Sequence, residues 1–412
     1  MCRHGSRRDR RPMSRSRRST PTNNPLHLVE LVGVGLAAGI LALIIVAMLA
    51  TPRTAAGNAD LLSARWVTAA GATGGASPVY HNGVLYVATA DGVTGLDAST
   101  GEIIINYRTA SPVVTTPAVI DGFDPQPDPP GKLIVGSKDG TLSTFDLTEA
   151  RLLWRASLGA EPTSPLVIRG IDQTDDKVLV GAGDTLSAFT GDGTRLWSAR
   201  LEGGDISTAG AVLVDQTDEL VAVPAGTTLY ELDAATGAIV WSVTPGRSRL
   251  GAASIGDPNV IGDPHILVGD ADGHLFSVDR HTGTTLATFT AAGPVIGPAA
   301  IGDPNSAGPW LFVGDGAGDI YAFDQTDEFP VWRASLGGPI DGPPVLANNV
   351  LYAAPNPISG DPQLVALDAA TGQTRCTARL TGGSAAAPTV ANGMVVIAIA
   401  SGDVVAYDGP DS

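Results

Sequence analysis

The chain has 412 residues, of which 42 are acidic and 25 basic, for a formal net charge of −17. An acidic balance of this size repels nucleic acid and anionic lipid headgroups, so it argues against a nucleic-acid-binding protein. Two cysteines, Cys2 and Cys376, are too few for a disulfide-rich scaffold.

The N-terminal part has the sequence of a membrane anchor. Eight arginines and one acidic residue occupy the first 27 residues, and Leu31–Ala50 follows as twenty residues without a charge. Twenty helical residues span roughly the 30 Å hydrocarbon core of a bilayer. Because the arginines stand only before the apolar run, the positive-inside rule predicts a cytoplasmic N-terminus. A cleaved signal peptide is the alternative, but its apolar core usually has only about 7–15 residues.

These features divide the sequence into four predicted regions: a basic cytoplasmic tail (1–27), a transmembrane helix (28–50), a linker (51–59) and an extracytoplasmic β-propeller (60–412). The predicted location is therefore the cell membrane, with a single pass. Residues 51–412 contain 17 basic and 40 acidic residues, so this part carries a formal charge of −23.

Eight related segments follow one another after residue 60. Each contains a short apolar run, a glycine-containing turn and a second strand-like run that usually ends in Asp, and the first seven continue into a further apolar run. The recurring position holds Asp97, Asp146, Thr190, Asp233, Asp279, Asp324, Asp368 and Asp408, at steps of 40 to 49 residues. A period in the forties with strand-like sequence is typical of a β-propeller with one four-stranded antiparallel blade per repeat.

The two ends of this repeat region complement each other. The eighth repeat stops at Asp408 before a fourth strand, whereas Leu61–Thr68 precedes the first repeat and has the pattern of a fourth strand, with Trp66 in place. We therefore predict an all-β, eight-bladed propeller whose last blade is completed by the N-terminal strand. This closure removes exposed sheet edges and requires Trp66 to lie close to Tyr407.

The segment Leu232–Trp241 and its relatives Leu96–Ile105 and Leu367–Cys376 resemble the PQQ-like repeat (quinoprotein-like) family of eight-bladed propellers. The resemblance covers about residues 60–412. It implies that five tryptophans dock between blades and are structural: Trp66, Trp154, Trp197, Trp241 and Trp332. Ile105, Ala287 and Cys376 replace tryptophan in the other three repeats.

One type of family member is a propeller lipoprotein that helps outer-membrane β-barrel assembly. Its repeats are similar to these, but the anchor predicted here is a helix instead of a lipidated cysteine. The resemblance therefore does not transfer that role to this chain.

Quinoprotein dehydrogenases share the fold, and the resemblance would imply an adjacent cysteine pair at the quinone and a calcium site of Asp, Glu and Asn. This chain has no adjacent cysteines. Residue pairs that open the innermost strands, such as Ser77-Pro78 and Ala387-Pro388, contain no titratable side chain to act as base or nucleophile. We therefore predict no catalysis and no bound PQQ, with a PQQ-dependent oxidoreductase as an alternative.

Histidines do not indicate a metal site either. His265, His274 and His281 fall in one repeat, but their spacing sends them toward opposite ends of the blade. A zinc site needs three or four convergent ligands, so surface histidines are the simpler interpretation.

Long acidic segments join the first and second strands of five successive repeats. Because corresponding loops of a propeller lie on one face, we predict that this face binds a partner through Asp172, Asp175, Asp176, Asp215, Asp218 and Glu219. The segments partly resemble FG-GAP-type calcium loops but lack a clean D-x-[DN]-x-D-G spacing. Calcium needs 6–8 oxygen ligands, so solvated acidic turns are preferred and a calcium-dependent adhesion module remains an alternative.

The sequence therefore predicts a membrane-anchored, non-catalytic propeller outside the cytoplasm. Its expected partner is a protein or a cell-envelope polymer, and nucleic acid is not expected. The sequence does not indicate an oligomeric state.

Overall fold

The computed structural model describes residues 53–54, 60–120, 131–168, 176–206, 211–214, 219–256, 265–304, 310–324, 329–356, 362–382 and 386–409. These residues form an all-β, eight-bladed propeller with four-stranded antiparallel blades, which confirms the predicted fold class. The predicted tail and transmembrane helix lie outside them. Within the described ranges, no helix is both long enough and apolar enough to cross a bilayer.

Each blade has four strands, numbered outward from the central channel. The first strands are β4 (Val79–His81), β8 (Ala118–Ile120), β12 (Leu166–Ile168), β16 (Ala211–Val214), β20 (Leu250–Gly256), β24 (Ala300–Gly302), β28 (Val345–Ala347) and β32 (Thr389–Ala391). The second strands are β5 (Val84–Thr89), β9 (Lys132–Gly136), β13 (Lys177–Ala182), β17 (Glu219–Ala225), β21 (His265–Asp270), β25 (Trp310–Gly314), β29 (Val350–Ala353) and β33 (Met394–Ala398).

The outer half of each blade is built in the same way. The third strands are β6 (Gly92–Asp97), β10 (Thr141–Asp146), β14 (Thr185–Thr190), β18 (Thr228–Asp233), β22 (His274–Asp279), β26 (Asp319–Phe323), β30 (Gln363–Asp368) and β34 (Asp403–Asp408). The fourth strands of blades 1 to 7 are β7 (Ile103–Arg108), β11 (Leu152–Ser157), β15 (Arg195–Arg200), β19 (Ile239–Val243), β23 (Thr285–Thr290), β27 (Trp332–Ser335) and β31 (Thr374–Arg379). The fourth strand of blade 8 is β3 (Ala64–Ala69).

Ring closure follows the predicted scheme. Strand β3 pairs antiparallel with β34, with Ala64 opposite Tyr407 and Trp66 opposite Ala406. The first residues of the propeller therefore complete the blade made by the last ones, as the sequence predicted.

The second and third strands are apolar and buried because neighbouring blades cover both of their faces. For example, Leu85 and Leu96 of blade 1 pack with Val396 and Val404 of blade 8, and all four are fully buried. The fourth strands instead alternate between less and more exposed residues, since their outer side lies at the rim of the ring.

Five of the interfaces between neighbouring blades, which we call seams, are closed by a docked tryptophan. Each indole packs on a positive-φ glycine in the turn between the third and fourth strands of the next blade, where an added Cβ would lie 2.5–2.8 Å from the ring. Each indole N–H also donates to a backbone carbonyl in that turn at 2.7–3.1 Å. The pairs are Trp66 with Gly101, Trp154 with Gly193, Trp197 with Gly237, Trp241 with Gly283, and Trp332 with Gly372.

The seam between blades 1 and 2 is closed by a tyrosine instead of a tryptophan. Blade 1 has Ile105 in the tryptophan position, and the facing turn has Ala150 and no glycine. Tyr107, two residues further on, packs edge-to-face on Phe145 with ring centroids 5.7 Å apart. Its hydroxyl donates to the carbonyl oxygen of Leu147 at 2.6 Å.

The seam between blades 5 and 6 repeats this substitution. Ala287 occupies the tryptophan position, and the sequence from Asp324 to Trp332 contains no glycine. Phe289, again two residues further on, packs edge-to-face on Tyr321 and Phe323, with centroids 5.1 and 4.8 Å away. An aromatic residue therefore compensates for the missing tryptophan in both seams.

Two short N-terminal strands lie along the rim before β3 begins. Strand β1 (Arg53–Thr54) pairs parallel with β27 of blade 6, and β2 (Asp60–Leu61) pairs parallel with β31 of blade 7. Leu62 then packs on the core shared by blades 7 and 8, where Cys376 replaces tryptophan. Arg53 and Thr54 belong to the segment that the sequence assigned to a linker.

Candidate functional site

The two sides of the ring differ in how the first and second strands are joined. In blades 1, 7 and 8 the connection is a tight two-residue turn with positive φ at Asn82, Asn348, Asn349 and Asn392. Such turns suit an antiparallel hairpin. In blades 2 to 6 the connections include residues 121–130, 169–175, 215–218, 257–264 and 305–309, all outside the described residues.

We call the side on which these connections start and end the acidic face. The five segments contain nine acidic residues and one basic residue, Arg169. The strands to which they connect belong to five consecutive blades, so these long connections are confined to one arc of the ring. The opposite side, where the second-to-third hairpins lie, we call the hairpin face.

The structure describes two of the six predicted partner-binding residues, Asp176 and Glu219. Glu219 begins β17, and its Oε2 lies 2.8 Å from Nζ of Lys177, which begins β13 of the preceding blade. The two side chains are only 20% and 10% exposed. Glu219 therefore links blades 3 and 4 and is already committed to an internal ion pair.

Asp176 stands immediately before Lys177 at the base of the same connection. Its backbone carbonyl accepts a hydrogen bond from the N–H of Gly191 at 3.1 Å. The other four predicted residues, Asp172, Asp175, Asp215 and Asp218, lie outside the described residues, so their role stays a prediction.

A second lysine supports the acidic face in blade 2. Nζ of Lys132 donates to the carbonyl oxygen of Gly191 in blade 3 at 2.8 Å, and the same oxygen accepts the indole N–H of Trp154. Lys132 and Lys177 are two of the three lysines in the chain. Each is the first residue of the second strand in an acidic repeat, directly before an apolar run, and this placement is the sequence signal that could have identified both as supports of the face.

The first strands line the channel with small and apolar residues. Within the described residues of these strands, only Tyr80 and His81 carry titratable side chains. Tyr80 donates to Asn392 Oδ1 at 2.7 Å, and His81 Nε2 lies 2.9 Å from Asn82 Nδ2. Both belong to blade 1 and lie near the turns between the first and second strands of blades 1 and 8, on the acidic face.

The hydroxyls that precede the channel prolines join one blade to the next. Thr116 Oγ1 accepts a hydrogen bond from the backbone N–H of Ser77 at 3.3 Å. Ser164 Oγ accepts one from the N–H of Thr116 at 3.1 Å. These hydroxyls therefore have a structural role at the opening of the inner strands.

The described residues do not fit a PQQ site with calcium. Cys376 is buried in the fourth strand of blade 7, opposite Ala366, and not in a strand that lines the channel. No group of three or more His, Cys, Asp or Glu side chains in the described ranges is arranged to hold a metal ion. His274 Nδ1 instead lies 3.0 Å from Asp270 Oδ2, and His265 Nδ1 lies 3.1 Å from Ser277 Oγ.

One buried carboxylate was not predicted from the sequence. Glu231 in β18 is 1% exposed and lies opposite Trp241, at a register position that holds Ala188 or Ala322 in other blades. Neither carboxylate oxygen has a hydrogen-bond partner among the described residues. Burial raises the pKa of Glu231 from 4.5 to about 7, although the facing indole N–H of Trp241 and the positive charge of Arg280 oppose this shift.

Comparison with known proteins identifies one family over the whole propeller region. The family model described as outer membrane protein assembly factor BamB matches residues 56–217, 182–295, 271–361 and 316–412. No curated protein matches the chain by sequence.

Solved structures show the same fold at low sequence identity. BamB from Moraxella catarrhalis is 18% identical, with a TM-score of 0.63, over 84% of this chain and 100% of that chain. Sqt1 of Saccharomyces cerevisiae is 14% identical, with a TM-score of 0.66, over 86% and 99% of the two chains. A quinohemoprotein alcohol dehydrogenase from Comamonas testosteroni is 18% identical, with a TM-score of 0.62, over 87% and 78%.

Proposed function

The chain belongs to the family described as outer membrane protein assembly factor BamB, and from this membership we propose that it is a protein-binding scaffold of the cell envelope. The family's description names an assembly factor, which works by binding other proteins. We propose further that the propeller lies outside the cytoplasm and is anchored by the apolar segment within residues 28–50.

The observation that carries the proposal is the restriction of acidic connections to five consecutive blades. Three neighbouring blades have tight turns at the same position, so the face is divided into a charged arc and a short-turned arc. Charge concentrated in this way favours association with a basic surface and speeds its approach. The internal Lys177–Glu219 pair stabilises the base of this arc, so the contact residues are Asp172, Asp175, Asp176, Asp215 and Asp218.

Catalysis is not part of the proposed function. The outer position of Cys376 and the apolar first strands support a propeller used for binding. The likeness to a quinohemoprotein dehydrogenase concerns the fold, which many unrelated functions share.

The experiment compares two variants of the tagged full-length protein in pull-downs from envelope extract. The first replaces the five contact aspartates by asparagine. The second, a matched control, neutralises five exposed acidic residues on the hairpin face: Asp139, Glu202, Asp205, Asp272 and Asp341. We expect the first variant to lose a protein that the wild type and the control both recover, and we expect that recovery to weaken with added salt. Equal recovery by both variants would reject the acidic face as the binding surface.

A further inference from the structure

One seam contains a buried carboxyl group. Glu231 in β18 of blade 4 is 1% exposed, and neither of its carboxylate oxygens has a hydrogen-bond partner among the described residues. In the sheet register it lies between Ala222 of β17 and Trp241 of β19. A charge that is removed from water without a partner is costly, so the neutral acid is the form that suits this position.

Glu231 faces the seam between blades 4 and 5. Successive side chains of a strand point to opposite sides, so Glu231 shares its side with Leu229. Leu229 and Ala222 pack in one apolar cluster with Ile266 and Val278 of blade 5. The carboxyl group is therefore enclosed between the two blades, beside an apolar cluster.

The neighbouring seam, between blades 3 and 4, has the same construction without this group. In both seams an indole docks on a positive-φ glycine and donates to a carbonyl of the facing turn, at 3.0 Å for Trp197 and 2.7 Å for Trp241. Ala188 lies opposite Trp197, where Glu231 lies opposite Trp241. The seam between blades 3 and 4 is therefore an internal reference for the effect of the carboxyl group.

The charges near Glu231 come from the turn of blade 5 that receives Trp241. Burial raises the pKa of Glu231 to about 7. The indole N–H of Trp241 and the charges of Arg280 and His281 oppose this shift. Asp279, in the same turn, adds to it. Burial outweighs the opposing groups, so the side chain keeps its proton up to about pH 7.

The other titratable groups at this seam have partners of their own. Asp233, two residues beyond Glu231, accepts hydrogen bonds from the backbone N–H and the hydroxyl of Thr236, both at 2.7 Å. At the hairpin-face end of the seam, Asp270 Oδ2 lies 3.0 Å from His274 Nδ1. These described groups therefore do not neutralise Glu231.

The turn that receives Trp241 lies on the acidic face. Asp279, which begins this turn, pairs with His265, and His265 directly follows the connection 257–264. Blade 4 contributes the preceding connection, 215–218. A change in the seam therefore alters the spacing of two acidic connections.

We propose that the seam between blades 4 and 5 is a proton-sensitive regulator of the acidic face, in which Trp241 leaves the turn of blade 5 when Glu231 loses its proton. The ionised group needs water, which reaches it only after the indole has moved. In the opened seam Glu231 has its ordinary pKa of 4.5, so opening becomes easier as pH rises from about 4.5 to about 7 and is constant above that. The effect on partner binding rests on the proposed function, whereas the opening of the seam does not.

Hydrogen exchange of the full-length protein tests the opening. The amides of Gly283 and Gly237 each donate to the carbonyl oxygen of the Asp that begins their turn, at 2.9 and 2.8 Å. Between about pH 5 and about pH 8 we expect exchange of the Gly283 amide, corrected for its intrinsic rate, to rise about tenfold or more. The Gly237 amide, in the seam that contains Ala188, is the internal control and should not change.

A conservative variant assigns the effect to the carboxyl group. Glu231→Gln keeps the size of the side chain but has no acidic proton, so it should abolish the rise, whereas the exposed Glu102→Gln should keep it. A rise that Glu231→Gln retains, or no rise in the wild type, would overturn the proposal. An equal rise at Gly237 would also overturn it, because the whole propeller would then be opening.

Pull-downs at the same two pH values test the regulation. We expect the wild type to recover less partner than Glu231→Gln at about pH 8, and the two proteins to recover equal amounts at about pH 5. Equal recovery at both pH values would overturn the link to binding. No recovery at either pH would contradict the proposed function, and hydrogen exchange would still decide whether the seam opens.

Discussion

The hydroxyl of Tyr107 donates a hydrogen bond to the carbonyl oxygen of Leu147, 2.6 Å away, across the seam between blades 1 and 2. Leu147 follows Asp146, as Ala98 follows Asp97, and the Ala98 carbonyl accepts the indole N–H of Trp66. A tyrosine two residues beyond the tryptophan position therefore reaches the same kind of acceptor. The seam keeps its hydrogen bond although its turn has no glycine to accommodate an indole.

Replacing Tyr107 by phenylalanine should lower the free energy of unfolding by about 1–3 kcal/mol, because the Leu147 carbonyl is left without its buried donor. Urea titration followed by tryptophan fluorescence measures the change. Tyr80→Phe is the control, since the Tyr80 hydroxyl bonds Asn392 at an exposed site. Equal effects of the two changes would show that the hydrogen bond across the seam contributes no more to the free energy of unfolding than an exposed one.

Gly237→Ala should destabilise the propeller more than Gly83→Ala. Both glycines have positive φ, +73° and +85°, so both substitutions strain the backbone. Only at Gly237 would the new Cβ meet an indole, at 2.5 Å from Trp197, whereas nothing lies within 4 Å at Gly83. We expect the difference to be about 1–3 kcal/mol, the usual range for overpacking, in thermal or urea unfolding. A similar loss at both positions would count against indole docking.

Stability should fall as pH rises from about 4.5 to about 7, because the folded state holds a proton on Glu231 that the unfolded chain releases. Above pH 7 this contribution is constant. The whole change amounts to about 3 kcal/mol at about 1.4 kcal/mol per unit of pKa. Glu231→Gln should remove it and melt higher than the wild type at pH 8, while the exposed Glu102→Gln should not. Parallel stability curves for wild type and Glu231→Gln would contradict the assignment.

The Lys177–Glu219 ion pair should be worth more than an exposed pair. Lys177→Met leaves a largely buried carboxylate without its partner, so we expect a loss of about 1–3 kcal/mol. A double-mutant cycle with Glu219→Gln isolates the pair. The same cycle on Arg151 and Glu149, which are 61% and 65% exposed, should give about 0–1 kcal/mol. Equal coupling in the two cycles would contradict a structural role for Glu219.

Removal of calcium should leave the melting temperature unchanged. A ligand that binds only the folded state raises its stability, so a calcium site would make melting depend on calcium concentration. Calorimetry of the full-length protein with excess calcium and with chelator measures this directly. A higher melting temperature in calcium would instead favour the calcium-dependent adhesion module.

The repeat period was sufficient to predict the blade number and the split last blade, whereas the docking of five tryptophans was implied by the resemblance to the PQQ-like repeat family. The period was sufficient because both features depend on residues at fixed spacing, such as Asp97, Asp408 and Trp66. The compensating roles of Tyr107 and Phe289 were not predicted, since they depend on which side chain reaches across a seam.

The pairing and burial of the carboxylates at the candidate site could not be predicted from the sequence. Glu219 was counted among the partner-binding carboxylates, but it is held by Lys177 of another blade. Such a pair joins residues 42 positions apart, and only the stacking of blades brings them together. Glu231 escaped notice for the same reason, because a lone carboxylate within a strand gives no local signal of burial.

The pairing of β3 with β34 joins residues more than 300 positions apart, as in the Arg65–Asp408 contact. During synthesis the strand made first must therefore wait for the strand made last, and contacts of such sequence separation form slowly. A chain that stops before β34 leaves β3 without its neighbouring strand, and the ring of blades stays open. Synthesis of β34 is in this way the event that closes the ring, and products that stop before it have an incomplete eighth blade.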